Sequence, residues 1–140
     1  MYELKIEAVA DRCNEVTDFL DALLEEHDVP MKTQMQLDIA VEEIFVNIAH
    51  YGYPGQTGYA RVVVDFPDNG ACVSICFIDQ GMPYDPLQKE DPDITLSAEE
   101  RPIGGLGIFM VKKSVDDVHY EYRDGSNILT IRKDLVPAVR

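Results

Sequence analysis

A carboxylate and a carboxamide lie four residues apart in the stretch DIAVEEIFVNIAHYGYP, at Glu43 and Asn47. Residues at this spacing project from the same face of a helix. Oxygen ligands of this kind suit Mg²⁺, which keeps several of its own water molecules. The alternative is a polar helix edge in water, because Glu and Asn side chains are usually solvated. The spacing alone leaves both interpretations open.

Two later segments also carry residues suited to binding a ligand. In the first, Asp79 and Gly81 directly follow a strand-like run. In the second, the segment Gly104-Gly105-Leu106-Gly107 opens a predicted helix, whose first N–H groups can bind a phosphate. A single glycine cluster is more often a simple turn, so each segment is weak evidence alone.

Apolar periodicity predicts three helices that position these residues, over 11–27, 31–51 and 105–114. Asp11 can cap the first helix, and the cluster Gly52-Tyr53-Pro54-Gly55 ends the second. The buried face of the second helix is predicted to comprise Leu37, Val41, Ile44, Ile48 and Tyr51.

Alternating and β-branched residues predict strands over 3–9, 60–66, 72–78, 115–122 and 127–132. Turn residues at Pro67–Gly70 and Asp124-Gly125 predict that four of them form two hairpins. In the third strand, Asp79 has the same parity as three apolar residues, so it should point into the layer between sheet and helices. Those apolar residues are Val73, Ile75 and Phe77.

Composition predicts one domain, 1–140, able to bury its own core with 46% apolar residues. We see no membrane span and no signal peptide, so we expect a cytoplasmic protein. The net charge of −14 argues against a nucleic-acid surface, although an acidic protein can still bind a nucleotide. The three cysteines form no C-x-x-C pair, and the three histidines lack zinc-ligand spacing.

The stretch from Gly81 to Pro102 is rich in proline and charge and has little periodicity. A connection of this length in a small domain is typical of a lid or a disordered segment. Its basic residues are Lys89 and Arg101. Arg101 is interpreted either as a residue that reaches bound phosphates or as an ordinary exposed arginine.

Taken in order, the three sites resemble the N, G1 and G2 boxes of the GHKL ATP-binding superfamily, the Bergerat fold. More specifically, the chain is similar to bacterial anti-sigma-factor serine/threonine kinases. The segments EEIFVNIAHYGYP, IDQGMPYDPL and GGLGIFMVKKSVDDVHYEYRDGSNILTIRK carry this resemblance. It implies a two-layer α+β fold with a mainly antiparallel sheet and three helices on one face.

The resemblance also implies roles at the phosphate end of an ATP site. Asn47 would coordinate Mg²⁺ on the phosphates, and Glu43 would be the general base for the attacking hydroxyl. Gly105 and Gly107 would let the loop close on the phosphates, beside Gly104 and Leu106 of the same box.

At the base end, the resemblance implies that Asp79 accepts a hydrogen bond from the adenine amino group. Gly81 would let the backbone pass under the base without a clash. Tyr84 belongs to the same box, and Thr130 would form a bond near the adenine. Many relatives carry His where this chain has Tyr51.

For function, the resemblance implies a serine kinase that acts on a STAS-domain anti-anti-sigma protein, sequesters a sigma factor and forms a homodimer. Direct nucleic-acid and membrane contacts are not expected. Two alternatives remain open: a nucleotide-gated binding module without phosphotransfer, and an ATPase. Glu43 favours the kinase or the ATPase, because pure binding needs no base.

Overall fold

The computed structural model describes residues 1–88 and 106–135, except for the side chains of Gln88 and Leu106. These residues form five strands and three longer helices, the mixture typical of an α+β domain. The elements are β1 (Tyr2–Glu7), α1 (Cys13–Glu26), α2 (Met31–Tyr51), β2 (Tyr59–Asp65), β3 (Cys72–Asp79), α3 (Leu106–Ser114), β4 (Asp117–Arg123) and β5 (Ser126–Asp134).

The five strands form one sheet in the order β1-β2-β3-β5-β4, and each neighbouring pair is antiparallel. Alternate residues of the strands are buried on one face, because successive side chains point to opposite sides of a sheet. The helices cover that face, and the core joins both layers. The predicted α+β fold, with a mainly antiparallel sheet and helices on one face, is confirmed.

The core is built from the apolar faces that the periodicity predicted. In α2 these are Leu37, Val41 and Ile44, joined by Ala40 and Phe45. Val73, Ile75 and Phe77 of β3 are fully buried against the helices. Truncating a buried aromatic such as Phe45 to Ala typically costs about 3–5 kcal/mol, so α2 is firmly anchored.

Both predicted hairpins are present, and the backbone of each turn has the positive φ values that its turn residues allow. Asp68 and Asn69 have positive φ in the short turn Pro67–Gly70. Asp124 and Gly125 have φ of 54° and 79°, as a tight hairpin turn demands.

Two local predictions are wrong. Asp11 does not cap α1, because it lies inside a 3-10 turn, Ala10–Arg12, that precedes the helix. Tyr51 does not belong to the buried face of α2, because it is 42% exposed and stacks on Tyr84 with ring centroids 5.2 Å apart. No helix among the described residues is long and apolar enough to span a membrane.

Candidate functional site

A cleft lies between α2, α3 and the ends of β3 and β5. Its walls are mostly apolar with a few polar groups, as in small-molecule sites. Phe77 pairs with Leu129 and Asp79 with Asn127 across β3 and β5, so the antiparallel register forms the floor. The apolar walls are Ile44, Ile48, Phe77, Met82, Ile108 and Leu129.

Asp79 lies on the cleft floor and is only 6% exposed. Its Oδ1 accepts hydrogen bonds from the Gly81 backbone N at 2.9 Å and from Asn127 Nδ2 at 3.0 Å. Within the described residues, nothing donates a hydrogen bond to its Oδ2. Burial raises the pKa of Asp79, and the two hydrogen bonds oppose that rise. The carboxylate therefore has one oxygen fixed by the protein and one available to a ligand.

Asn127 was missed by the sequence analysis. It is 6% exposed, and its Nδ2 also donates to the Met82 carbonyl at 2.9 Å. Its Oδ1 accepts from the Tyr84 backbone N at 3.2 Å and from the Tyr120 hydroxyl. A usable signal existed: an amide on the buried parity of a strand, directly after a hairpin turn, needs polar partners.

Gly81 crosses the end of α2 in direct backbone contact. The Met82 N donates to the Gly52 carbonyl at 2.8 Å, and a Cβ on Gly81 would lie 2.6 Å from the Gly52 carbonyl carbon. Backbone atoms cannot give way as a side chain can, so only glycine fits. The protein itself therefore requires this glycine, which is a different reason from the predicted passage under a base.

Glu43 and Asn47 lie farther back along α2 than Gly52, which is beside Asp79. Asn47 lines the cleft, and Glu43 is half-buried against the first turn of α3. A Cβ on Gly107 would lie 3.1 Å from Glu43 Cδ and still nearer to Oε2. The N-terminal turn of α3, which attracts anions, is thus next to the carboxylate. The predicted proximity of the N-box helix and the Gly107 helix is present in the structure.

Thr130 does not reach this site, and its predicted adenine contact is wrong. It pairs with Cys76 and donates to its Sγ at 3.5 Å. Because side chains alternate, Thr130 lies on the open face of the sheet, opposite Leu129. Asn127 occupies the floor position instead.

The other predicted site residues have separate outcomes. Tyr84 lines the cleft, as its place in the G1 segment suggested. Leu106 begins α3, but its side chain is not described. Residues 81–88 of the predicted lid stretch are described, and Pro86–Gln88 form a 3-10 turn, whereas its remainder, with Lys89 and Arg101, and Gly104 and Gly105 lie outside the described residues.

The residues present fit an adenine nucleotide. Apolar walls can hold a flat base, and the Asp79 carboxylate can accept from an exocyclic amine. No group of three His, Cys, Asp or Glu residues within the described ranges could hold a metal. A single amide ligand such as Asn47 suits Mg²⁺ that is held mainly by phosphate oxygens and water.

The fold and the cleft together are those of an ATP-binding domain, and the sequence comparison agrees. Residues 6–133 match the family described as histidine kinase-like ATPase domain, so the chain belongs to that family. Membership implies that the chain binds ATP.

The similar proteins include the serine/threonine-protein kinase BtrW of Bordetella bronchiseptica. It is 26% identical over 107 residues, which are 76% of this chain and 74% of the relative. The serine-protein kinase RsbW of Bacillus cereus is 27% identical over 97 residues. That match covers 66% of this chain and 59% of the Bacillus protein, so the chain spans about three-fifths of that relative.

Two solved structures share the fold. The RsbU and RsbW domains of a Mycobacterium tuberculosis protein give a TM-score of 0.64 at 15% identity, covering 100% of this chain and 34% of that one. A histidine kinase domain from Erythrobacter litoralis gives 0.56 at 16% identity, covering 76% of this chain and 46% of that one.

Proposed function

We propose that the chain is an ATP-dependent protein serine/threonine kinase that regulates a sigma factor in the cytoplasm. The observation that carries this proposal is the placement of Glu43 beside the first turn of α3, farther along α2 from the buried carboxylate of Asp79 than Asn47 is. Nucleotide binding alone needs no proton acceptor. A carboxylate near the phosphate end adds a group that can accept a proton.

At the base end, Asp79 Oδ2 accepts a hydrogen bond from the exocyclic amine of adenine. Guanine carries a carbonyl oxygen at that position and would face the carboxylate with a second acceptor. Ile48, Phe77 and Met82 enclose the ring and exclude water. This arrangement supports selectivity for ATP over GTP.

At the phosphate end, Asn47 would hold Mg²⁺, which neutralises phosphate charge when it is bound. The N–H groups that begin α3 donate to phosphate oxygens. Glu43 accepts the proton of the partner's serine hydroxyl as that oxygen attacks the terminal phosphorus, the bond from this phosphorus to the β-phosphate oxygen breaks, and ADP leaves. Positioning and charge neutralisation supply most of the catalysis in phosphoryl transfer, so few catalytic groups are needed.

The partner proposed as substrate is a STAS-domain anti-anti-sigma protein, and the protein sequestered is a sigma factor. The names of the similar kinases support phosphorylation of a protein serine, and the resemblance of the three sequence boxes to anti-sigma-factor kinases supports these two partners. We also propose a single domain over 1–140 and a homodimer, which light scattering at working concentration would test.

The base end is tested by calorimetric titration of ATP and GTP with Mg²⁺. We expect Asp79→Asn to weaken ATP by about 1–3 kcal/mol, because a hydrogen bond to a charged group is lost in a closed site. Asp117→Asn, the same change on exposed β4, is the matched control and should bind like the parent. Equal affinity of the parent for GTP would refute the role of Asp79.

Kinase activity is tested by transfer of labelled phosphate from ATP to the purified STAS partner. Incorporation into a partner serine is the expected result. Tight ATP binding without transfer to any cognate partner would instead identify a nucleotide-gated binder, whereas phosphate release without transfer would identify an ATPase.

A further inference from the structure

The Asn127 amide has a fully determined orientation. The Tyr84 backbone N can only donate and the Met82 carbonyl can only accept, so the amide oxygen faces the first and the nitrogen faces the second. The remaining contacts agree, because the nitrogen also reaches Asp79 Oδ1 and the oxygen also accepts from the Tyr120 hydroxyl. No rotated amide would satisfy these four partners.

This orientation determines which oxygen of Asp79 is left for a ligand. The Gly81 N and Asn127 Nδ2 approach the same oxygen, Oδ1, so rotation of the carboxylate would break two hydrogen bonds. Buried and hydrogen-bonded on one side, Asp79 presents its Oδ2 in one direction. Asn127 also joins β5 to the chain following β3, so it fixes the wall as well as the carboxylate.

We propose that Asn127 is a positioning residue that sets selectivity for the 6-amino group of adenine by fixing the carboxylate of Asp79. This inference rests on the proposed nucleotide site. Asn127 acts through Asp79, and Tyr120 acts one step further away through Asn127. The three side chains form a hydrogen-bonded series along the cleft floor, so their effects on selectivity should decrease in that order.

The test compares ATP with purine riboside triphosphate, which lacks only the 6-amino group, by calorimetric titration with Mg²⁺. The parent should bind ATP more tightly than the analogue. Asn127→Ala should weaken ATP about tenfold or more, the scale of a lost hydrogen bond to a charged group, and should leave the analogue nearly unchanged. Ile128→Val, the next residue on β5 with its side chain on the open face, should behave like the parent.

A purely structural role predicts a different result. If Asn127 only supported the wall, Asn127→Ala would weaken both nucleotides equally, and that outcome would overturn the inference. Unchanged selectivity would overturn it as well. If the parent itself fails to distinguish ATP from the analogue, the proposed role of Asp79 fails, and with it the basis of this inference.

Tyr120→Phe keeps the test valid if Asn127→Ala does not fold. It removes one hydroxyl and leaves the contacts of Asn127 with Asp79, Met82 and Tyr84. We expect a smaller loss of selectivity, about two- to fivefold, and no loss when Asp79 is already Asn, since residues in one network are coupled. An equal loss in both backgrounds would contradict the proposed series.

Discussion

The two ends of the cleft are built differently. At the base end, Asp79, Asn127 and the backbone of residues 81–84 are joined by hydrogen bonds and largely buried. At the phosphate end, the side chains of Glu43 and Asn47 have no hydrogen-bond partner within the described residues and are half-exposed. At the base end the protein fixes the polar groups and leaves one carboxylate oxygen for a ligand, whereas at the other end both polar side chains are available.

This difference indicates how recognition and chemistry are divided. In the proposed site, base recognition would depend on a carboxylate whose direction is fixed before binding, which reduces the entropy lost on association. Catalysis would depend on side chains that gain partners only when phosphate, metal and substrate hydroxyl arrive. Substitutions at the two ends should therefore impair different steps, namely base recognition at one end and catalysis at the other.

The largest expected effect is at Glu43. Glu43→Ala should retain ATP binding but slow phosphate transfer by about 10²–10⁴-fold, the usual contribution of a general base. Glu42→Ala, the exposed neighbour that projects from another side of α2, is the matched control and should transfer normally. Transfer at the parental rate by Glu43→Ala would show that Glu43 is not the base.

A substitution at Asn47 tests metal-dependent binding at the phosphate end separately from base recognition. Asn47→Ala should weaken ATP about 10- to 100-fold when Mg²⁺ is present, because an oxygen ligand is lost. Without Mg²⁺, parent and variant should bind alike in the same titration. A loss of the same size in the absence of metal would remove the assignment of Asn47 as a metal ligand.

Gly81 tests the rigidity of the base end. Gly81→Ala places a Cβ 2.6 Å from the Gly52 carbonyl carbon, so we expect about 1–3 kcal/mol of lost stability and weaker ATP binding. Thermal denaturation without nucleotide measures the first effect. Gly55→Ala, which has open space but positive φ, is a control for backbone strain alone. Unchanged stability of Gly81→Ala would show that the crossing is not rigid.

The smallest expected effect is at Asp38, a residue of α2 away from both ends of the cleft. Asp38 faces Asp21 of α1, with Asp18 and Glu42 nearby, and the Oδ1 atoms of the two aspartates are shielded from solvent without a donor. Burial, with repulsion from Asp21, raises the pKa of Asp38 to about 7. Its contribution to stability is present below the ordinary pKa of 3.8 and is lost as pH rises through about 7.

Asp38→Asn removes this penalty and should stabilise the protein at pH 8 by about 1 kcal/mol, a value reduced for partial exposure. Urea unfolding at pH 5 and pH 8 measures the difference, which should be smaller at pH 5. ATP affinity should not change at either pH. A pH-independent effect would exclude ionisation of Asp38 as its cause.

The sequence predicted what depends on local pattern. Periodicity of three and four residues placed Glu43 and Asn47 together on α2, and the parity of β3 correctly placed Asp79 in the layer facing the helices. The role proposed for Asn127 depends on the pairing of β3 with β5, which brings together residues 48 positions apart. Thr130 shows the same limit, because one position of error in a strand moves a side chain to the other face.

The requirement at Gly81 was also only partly predictable. A glycine after a strand is easily seen, but its contact with Gly52 depends on how two distant segments cross. Asp11 was assigned as a cap from its type alone, although the chain forms a 3-10 turn there first. In both cases the local sequence gives the residue type, and the tertiary structure gives the reason.

The contact between Met82 and Gly52 has a consequence for the length of ligand that fits. It holds the base-binding segment at the last turn of α2, whose rise of about 1.5 Å per residue puts Asn47 about 7.5 Å and Glu43 about 13.5 Å back along the axis. In the proposed site, α2 would therefore set the distance between the base and the phosphates. Inserting one residue between Asn47 and Gly52 would turn Asn47 by about 100° relative to the base. The position of Asn47 relative to the base therefore depends on every residue of that turn.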